Sequence, residues 1–256
     1  MGEAPLLEVR ELRKEFGGVV AVAGVSFDVP AGDIRAIIGP NGAGKTTVFN
    51  LVSGMLPPTR GSIRFRGEPV DALPACDRAA RGLARTFQNL QIFSNMTVLE
   101  NVMVARHRQS GYGIVAAAAW TPRARREERE IAEAARRYLD AVGLGVRADD
   151  AASSLPFGQQ RLLEIARALA TEPTLLMLDE PAAGLNAAEG DTLADLIFAI
   201  RDRGVTVLLV EHHMDLVMRV SDTVLVLNYG QVLAQGSPAE VQNDPAVIDA
   251  YLGAEV

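Results

Sequence analysis

Three short runs rich in β-branched and aliphatic residues punctuate the chain: Ile34-Arg-Ala-Ile-Ile38, Thr174-Leu-Leu-Met-Leu178 and Val205-Thr-Val-Leu-Leu-Val210. The first predicts a short strand; the second and third are continuous apolar runs, cut off by charge, of the kind that buried strands of a parallel sheet show. The first run meets Gly39-Pro-Asn-Gly-Ala-Gly44 and then a helical pattern opening at Lys45. The second ends in Asp179-Glu180, and the third in Glu211-His212. Over residues 91–159 the periodicity turns helical. Thr97-Val-Leu-Glu100 has the spacing of a capping box, and Arg125–Val142 reads as a long helix. Leu162, Leu163, Ile165, Ala166 and Leu169 recur on one face of a further helix. Toward the end, Leu227–Gly236 predicts strand, turn and strand, and Ser237-Pro-Ala-Glu240 opens a capped helix. The pattern therefore predicts an α/β core from residues 1–90 and 160–256, with a helical subdomain at 91–159. Inside that subdomain, the Gly- and Ala-rich stretch Gln109–Pro122 predicts a peripheral segment, with a short helix at Ile114–Trp120.

Composition narrows the class. With 256 residues, 48% hydrophobic and 22% charged, the chain has the make-up of a folded globular protein, not a disordered or collagen-like one. No apolar run approaches the ~20 residues of a membrane-spanning helix. Met1–Arg10 lacks the basic start and apolar core of a secretory signal, so a cytosolic or membrane-peripheral location is expected. Cys76 alone can form neither an internal disulfide nor a cysteine metal site, which fits a reducing compartment. The net charge of −7 argues against a nucleic-acid partner. Arg123-Ala-Arg-Arg126 is answered at once by Glu127, Glu128 and Glu130, and reads as a solvated helix face. Of 25 basic residues only Lys14 and Lys45 are lysine, which marks Lys45 as a position where arginine would not serve.

Gly39-x4-Gly44-Lys45-Thr46, between a strand and a helix, is the phosphate-binding P-loop spacing. Glycines let successive backbone N–H groups turn inward on an anion, and the positive end of the following helix adds its field. Gly39, Pro40, Asn41, Gly42, Ala43, Gly44, Lys45, Thr46 and Thr47 are accordingly expected to line the phosphates of a nucleotide. The Lys45 ammonium would meet the β- and γ-phosphates, and the Thr46 hydroxyl would ligate Mg²⁺. Carboxylates at the end of a buried strand face the crevice in which α/β sheets bind ligands. Asp179 is expected to hold Mg²⁺ through water, and Glu180 to orient and polarise the attacking water. His212 is placed to donate to the γ-phosphate.

With these residues in hand, the chain resembles the ATP-binding subunits of ABC transporters over nearly its whole length. The resemblance implies a P-loop NTPase (RecA-like) core, an antiparallel β subdomain and an inserted helical subdomain. It also assigns Phe16 to an adenine-stacking position, and it matches Gln88, in Thr86-Phe-Gln-Asn89, to the Q-loop glutamine that touches Mg²⁺ and the attacking water. Asp179 and Glu180 match the Walker B pair, Ala182–Asn186 lies at the D-loop, and His212 matches the switch histidine. His213 stands where relatives often carry aspartate, and an ordinary surface histidine is expected there; His107 is likewise expected to be bland.

The signature departs from the family pattern. In place of Leu-Ser-Gly-Gly-Gln the chain reads Leu155-Pro-Phe-Gly-Gln159, which removes the serine hydroxyl expected to meet a partner's γ-phosphate. Backbone N–H groups of Gly158 and Gln159, at the start of a Gln159–Leu169 helix, are expected to bind that phosphate still. The altered signature, with Pro181-Ala-Ala-Gly-Leu-Asn186, resembles the ATPases of high-affinity branched-chain amino-acid importers. That resemblance implies ATP hydrolysis by a homo- or heterodimer of ATP-binding subunits on the cytoplasmic face of the membrane. It also implies two membrane permease subunits and a periplasmic or extracellular solute-binding protein. Leu90, Ile92, Phe93 and Met96 would either receive a short permease helix or cover the join between the subdomains. An ATPase of lipid or lipopolysaccharide export, or a soluble ABC ATPase, is the alternative; the former usually keeps Ser-Gly-Gly in its signature, and the latter usually carries two cassettes or long coiled coils.

Overall fold

The computed structural model describes residues 4–107 and 121–252. The expected peripheral segment and its short helix at Ile114–Trp120 lie outside the described residues. The chain separates into two compact units, Met1–Arg85 with Thr174–Val256, and Thr86–Pro173.

In the first unit, strands β1 (Leu7–Phe16) and β2 (Val19–Val29) form an antiparallel hairpin. Strand β3 (Ile34–Ile38) leads into helix α1 (Lys45–Val52). Then come β4 (Arg60–Phe65), β5 (Glu68–Pro69), α2 (Ala75–Ala80) and β6 (Leu83–Arg85). The second unit is built on α3 (Val98–Arg106), α4 (Pro122–Ala141) and α5 (Phe157–Leu169). The chain returns to the first unit with β7 (Leu175–Asp179), α6 (Ala187–Asp202), β8 (Thr206–Val210) and α7 (Met214–Val220). It ends with β9 (Thr223–Asn228), β10 (Gln231–Gly236), α8 (Pro238–Gln242) and α9 (Pro245–Leu252).

One sheet has the order β2-β1-β4-β5 and is antiparallel throughout. The other has the order β10-β9-β3-β8-β7-β6, and only the edge strand β10 runs antiparallel to its neighbour. All five residues of β3, β7 and β8 are buried, which is why their sequences are mostly apolar instead of alternating; the exceptions are Arg35 in β3, Asp179 at the end of β7 and Thr206 at the start of β8. In β1 the alternation of Leu7 and Val9 slips by one at Glu11, whose φ is 47°. A bulge there re-aims Leu12 into the core. Helix α1 contacts β2 as well as β7 and β8. Its buried Val48, Phe49, Leu51 and Val52 join one apolar cluster with Leu7, Val25 and Ile63 of the first sheet and Ile37, Met177 and Val210 of the second.

The carboxyl end of α1 is closed by a buried charge. Arg78 of α2 is 1% exposed, and its guanidinium donates to the carbonyls of Leu51, Val52, Leu73 and Asp71 at 2.7–3.1 Å. Leu51 and Val52 are in the last turn of α1, where carbonyls have no helical partner. Burial pulls the Arg78 pKa down to about 10. Gly54 lies so close that an added Cβ would stand 2.8 Å from the Arg78 Nε, at a φ of 79°.

In the second unit α3 packs on both α4 and α5. Thr97 and Glu100 complete the expected capping box reciprocally. The long helix runs Pro122–Ala141, three residues earlier than its periodicity suggested, because Thr121 caps it and Pro122 occupies the first turn. Arg123 and Arg126 pair with Glu127 and Glu130 one turn on. Helix α5 also opens earlier than expected, at Phe157 with Pro156 as its cap. Leu163, Ile165, Ala166 and Leu169 are buried as their spacing implies, but so are Arg161 and Glu164, while Leu162 is half-buried. The three predicted strands, the closing hairpin and the cap at Ser237 form as expected. Among the described residues, no helix is long and apolar enough to cross a membrane.

Replacing Arg78 by alanine should lower the unfolding free energy by roughly 3 kcal/mol, because several buried carbonyls lose their donor. Arg78→Lys should recover only part, since one ammonium cannot span all four acceptors. Urea unfolding followed by circular dichroism measures both; equal stability of Arg78→Ala and wild type would contradict the role.

Candidate functional site

The register of the second sheet sets the site. Ile37 of β3 and Asp179 of β7 both pair with Val210 of β8, so three adjacent parallel strands end at one level. The segments just beyond those ends therefore meet: the Gly39–Gly44 loop, Glu180, and Glu211 with His212.

The loop closes onto α1 through Gly44, which has a φ of 98° and caps the helix without a side chain. A Cβ at Gly44 would come within 2.7 Å of the Ala21 carbonyl, and one at Gly39 within 2.1 Å of the Leu227 carbonyl. Both glycines are thus required by the loop's packing as well as its curvature. The Lys45 ammonium is buried and donates to the carbonyls of Gly39 and Pro40 at 2.6 and 3.0 Å. Burial pulls its pKa down, and the Glu180 carboxylate pushes the other way. Asn41, Gly42 and Thr46 face solvent, and Pro40 and Thr47 are half-buried. A loop with a buried ammonium behind it and open backbone in front suits an oxyanion.

Asp179 is buried in an ion pair with Arg85 at 2.7 Å. Arg85 also donates to Asn50 Oδ1 at 2.7 Å and Ser53 Oγ at 2.8 Å, and so ties β6 to β7 and α1. Glu180 sits in the left-handed region at φ 47°, a conformation few side chains adopt without compensation. Its backbone N–H is held by the Val210 carbonyl at 2.9 Å. Its Oε2 is 3.8 Å from His212 Nδ1. Glu211 is fully buried and accepts from the backbone N–H groups of Ala182, His212 and His213 and from His213 Nδ1, at 2.8–3.1 Å. Thus His213, expected to be an ordinary surface residue, is engaged with a buried carboxylate. Phe16, at the end of β1, is 45% exposed with the Lys14 ammonium 5.2 Å from its ring centre.

The structure therefore unites Lys45, Asp179, Glu180 and His212 in the first unit. Gln88, Gly158 and Gln159 belong to the second, where a different network holds them. Arg161 donates to the carbonyls of Phe87 and Gln88 at 3.0 and 2.7 Å, and Glu164 accepts the Phe87 N–H at 3.0 Å. The two side chains are themselves 3.5 Å apart. Burial pushes the Glu164 pKa up, against the Phe87 N–H and Arg161, which lower it. The first hydrogen bond within α5 is Gln160 N–H to Pro156 C=O. Phe157, Gly158 and Gln159 are then the first three helical positions, whose N–H groups lack intrahelical acceptors. The Gln159 side chain accepts from Arg147 at 3.0 Å.

Arg85, Arg161, Glu164 and the role of Glu211 escape a reading of the sequence. The one signal for Arg161 and Glu164 was charge at i and i+3 beside an otherwise apolar helix face; Arg85 gave none, because its partners lie 35 and 94 residues away.

A six-stranded sheet with a P-loop after a central strand, an appended antiparallel sheet and a helical unit defines an ATP-binding cassette. The ABC transporter family model matches residues 22–183, and the chain belongs to that family of ATPases. A second model, the branched-chain amino acid ATP-binding cassette transporter, matches residues 231–256. Over 250 residues the chain is 49% identical to the high-affinity branched-chain amino acid transport ATP-binding protein BraF of Pseudomonas aeruginosa, covering 97% of this chain and 98% of that one. It is 46% identical to the corresponding LivG of Escherichia coli, with the same coverage. The crystal structure of the ADP conformation of MJ1267, an ATP-binding cassette of an ABC transporter, superposes with a TM-score of 0.86 at 31% identity, covering 98% of this chain and all of that one.

Arg161→Ala should release the segment from Thr86 to Leu90 while leaving Glu164 buried with only Arg167 as a nearby cation. Breaking a buried pair of this kind costs about 3–5 kcal/mol. Amide hydrogen exchange should accelerate most at Phe87; unchanged exchange there would contradict the staple.

Proposed function

We propose that the chain, as one nucleotide-binding domain spanning 1–256, powers uptake of branched-chain amino acids. It works as a dimer of ATP-binding subunits beneath two membrane permease subunits, at the cytoplasmic face, fed by a solute-binding protein. The observation that carries the ATPase half is the common level of the Lys45, Glu180 and His212 strand ends. The solute rests on the full-length likeness to BraF and LivG.

In this reading the backbone from Gly39 to Thr47 and the Lys45 ammonium hold the phosphates of ATP, and Phe16 stacks on adenine. Thr46, Asp179 and Gln88 are the Mg²⁺ ligands, directly or through water. The donors are all oxygen, which suits Mg²⁺. Bound Mg²⁺ would neutralise charge across the β- and γ-phosphates. Glu180 takes the proton of the attacking water, its left-handed backbone setting where the carboxylate stands. His212 donates to the γ-phosphate, and Gln88 reports nucleotide state toward the permease. Leu90, Ile92, Phe93 and Met96 are proposed to contact a permease helix; Phe93 is 40% exposed. The N–H groups of Gly158 and Gln159 meet the γ-phosphate of the second subunit.

Lys45→Ala should abolish ATP binding, whereas Glu180→Gln should bind ATP and scarcely hydrolyse it. Equilibrium nucleotide binding and steady-state phosphate release distinguish the two, and wild-type turnover by Glu180→Gln would refute the base assignment. With permeases and binding protein co-expressed, leucine uptake should fail with either variant.

The Pro156-Phe157 signature yields a further expectation. A hydrogen bond to a charged group contributes roughly 1.5–3 kcal/mol, so regaining the serine hydroxyl should tighten closure about 10- to 100-fold. Pro156→Ser with Phe157→Gly, in the Glu180→Gln background, should strengthen Mg·ATP-driven dimerisation in analytical ultracentrifugation. No gain would mark Pro156 and Phe157 as packing residues.

A further inference from the structure

We propose that Glu211, His212 and His213 form a zinc site at the carboxyl end of β8. The three residues bring one carboxylate oxygen and two imidazole nitrogens within 4.8 Å of one another. His213 Nδ1 is 3.1 Å and His212 Nδ1 3.8 Å from the same Glu211 Oε2. Donors around a tetrahedral Zn²⁺, with bonds of roughly 2.0–2.2 Å, stand about 3.3 Å apart. Two edges of that tetrahedron are therefore nearly spanned. The third closes by rotation of the two rings, whose side chains are half-exposed and whose centres are 4.3 Å apart.

The carboxylate is fixed in advance. Glu211 is fully buried, and backbone N–H groups of Ala182, His212 and His213 orient it at 2.8–3.1 Å. Orienting bonds of this kind raise the affinity of a metal site. Zinc takes the place of the His213 Nδ1–Glu211 hydrogen bond: the ring binds through Nδ1 as a neutral imidazole with its proton on Nε2, and the Glu211 carboxylate opposes one of the two charges of the ion. Two imidazoles and one carboxylate suit Zn²⁺, whereas an all-oxygen set suits Mg²⁺. Glu180 stands beside the cluster, its Oε2 3.8 Å from His212 Nδ1. Occupancy withdraws His212 and crowds Glu180, and so arrests hydrolysis.

The test measures binding of Zn²⁺ alone to the nucleotide-free full chain by competition with a chromogenic chelator, and the absorption of Co²⁺ as a substitute. One ion per chain is expected, with a tetrahedral Co²⁺ spectrum. His213→Ala removes a ligand outright and should weaken binding by more than tenfold, since even a partner that only orients a ligand is worth roughly ten- to a hundredfold. It should leave the thermal melt and Mg·ATP hydrolysis near wild type. Cys76→Ser should bind as wild type does, and so should Lys45→Ala, which excludes zinc carried on nucleotide. Equal affinity of His213→Ala and wild type, or loss of binding with Cys76→Ser, overturns the site. In excess Mg²⁺, added Zn²⁺ should slow hydrolysis by wild type but not by His213→Ala. That arm rests on the proposed roles of Glu180 and His212, and its failure with binding intact would overturn the arrest alone.

Discussion

Ile37, Val210 and Asp179 lie side by side on three hydrogen-bonded parallel strands, and this shared level is what the other elements serve. Parallel strands all deliver their carboxyl ends to the same edge, so the polar residue after each apolar run arrives at the same crevice. A slip of one residue in β7 would turn Asp179 to the other face and move Glu180 off its bond to Val210. The full burial of β3, β7 and β8 makes such a slip costly, since every residue in them is packed on both sides.

Around that edge, polar loops are held by buried charges and not by apolar packing. Arg78 closes the far end of the P-loop helix, Arg85 pins Asp179 to the same helix, and Glu211 gathers the N–H groups of Ala182, His212 and His213. In the helical unit Arg161 and Glu164 do the same for the backbone at Phe87 and Gln88. A guanidinium suits this work because its five donors lie in one rigid plane and can satisfy several carbonyls together. The scarcity of lysine is consistent with that use, and Lys45 stands where a compact ammonium fits behind the loop.

The altered signature keeps an open helix start. Pro156 caps α5 without contributing an N–H, and Phe157, Gly158 and Gln159 supply the first three helical N–H groups. Phe157 is 46% exposed with the Arg161 guanidinium 5.4 Å from its ring centre, so its ring covers the charge that staples the Q-loop backbone. The substitution thus trades a hydroxyl at the helix start for shielding of a buried ion pair.

The strands, the P-loop and the order of chemistry along the chain were legible in the amino acids alone. A strand buried on both faces needs mostly apolar residues, and a phosphate loop needs glycine at fixed spacing, so Ile34–Ile38, Gly39–Gly44 and Thr206–Val210 could be read directly, though not that Arg35 is buried among them. Helix starts were legible where a capping box marks them, at Thr97 and Ser237, and misplaced where proline stands at the start, at Pro156, which caps without a side-chain bond, and at Thr121-Pro122. Which charges are buried, and what they hold, emerges only once the chain is folded. Arg85 looks like any arginine until β6 lies beside β7, and His213 looks like a surface residue until the β8 turn brings it onto Glu211. Pairings across 35 or 94 residues leave no periodic trace, because a hydrogen bond constrains two atoms in space and nothing in the spacing between them.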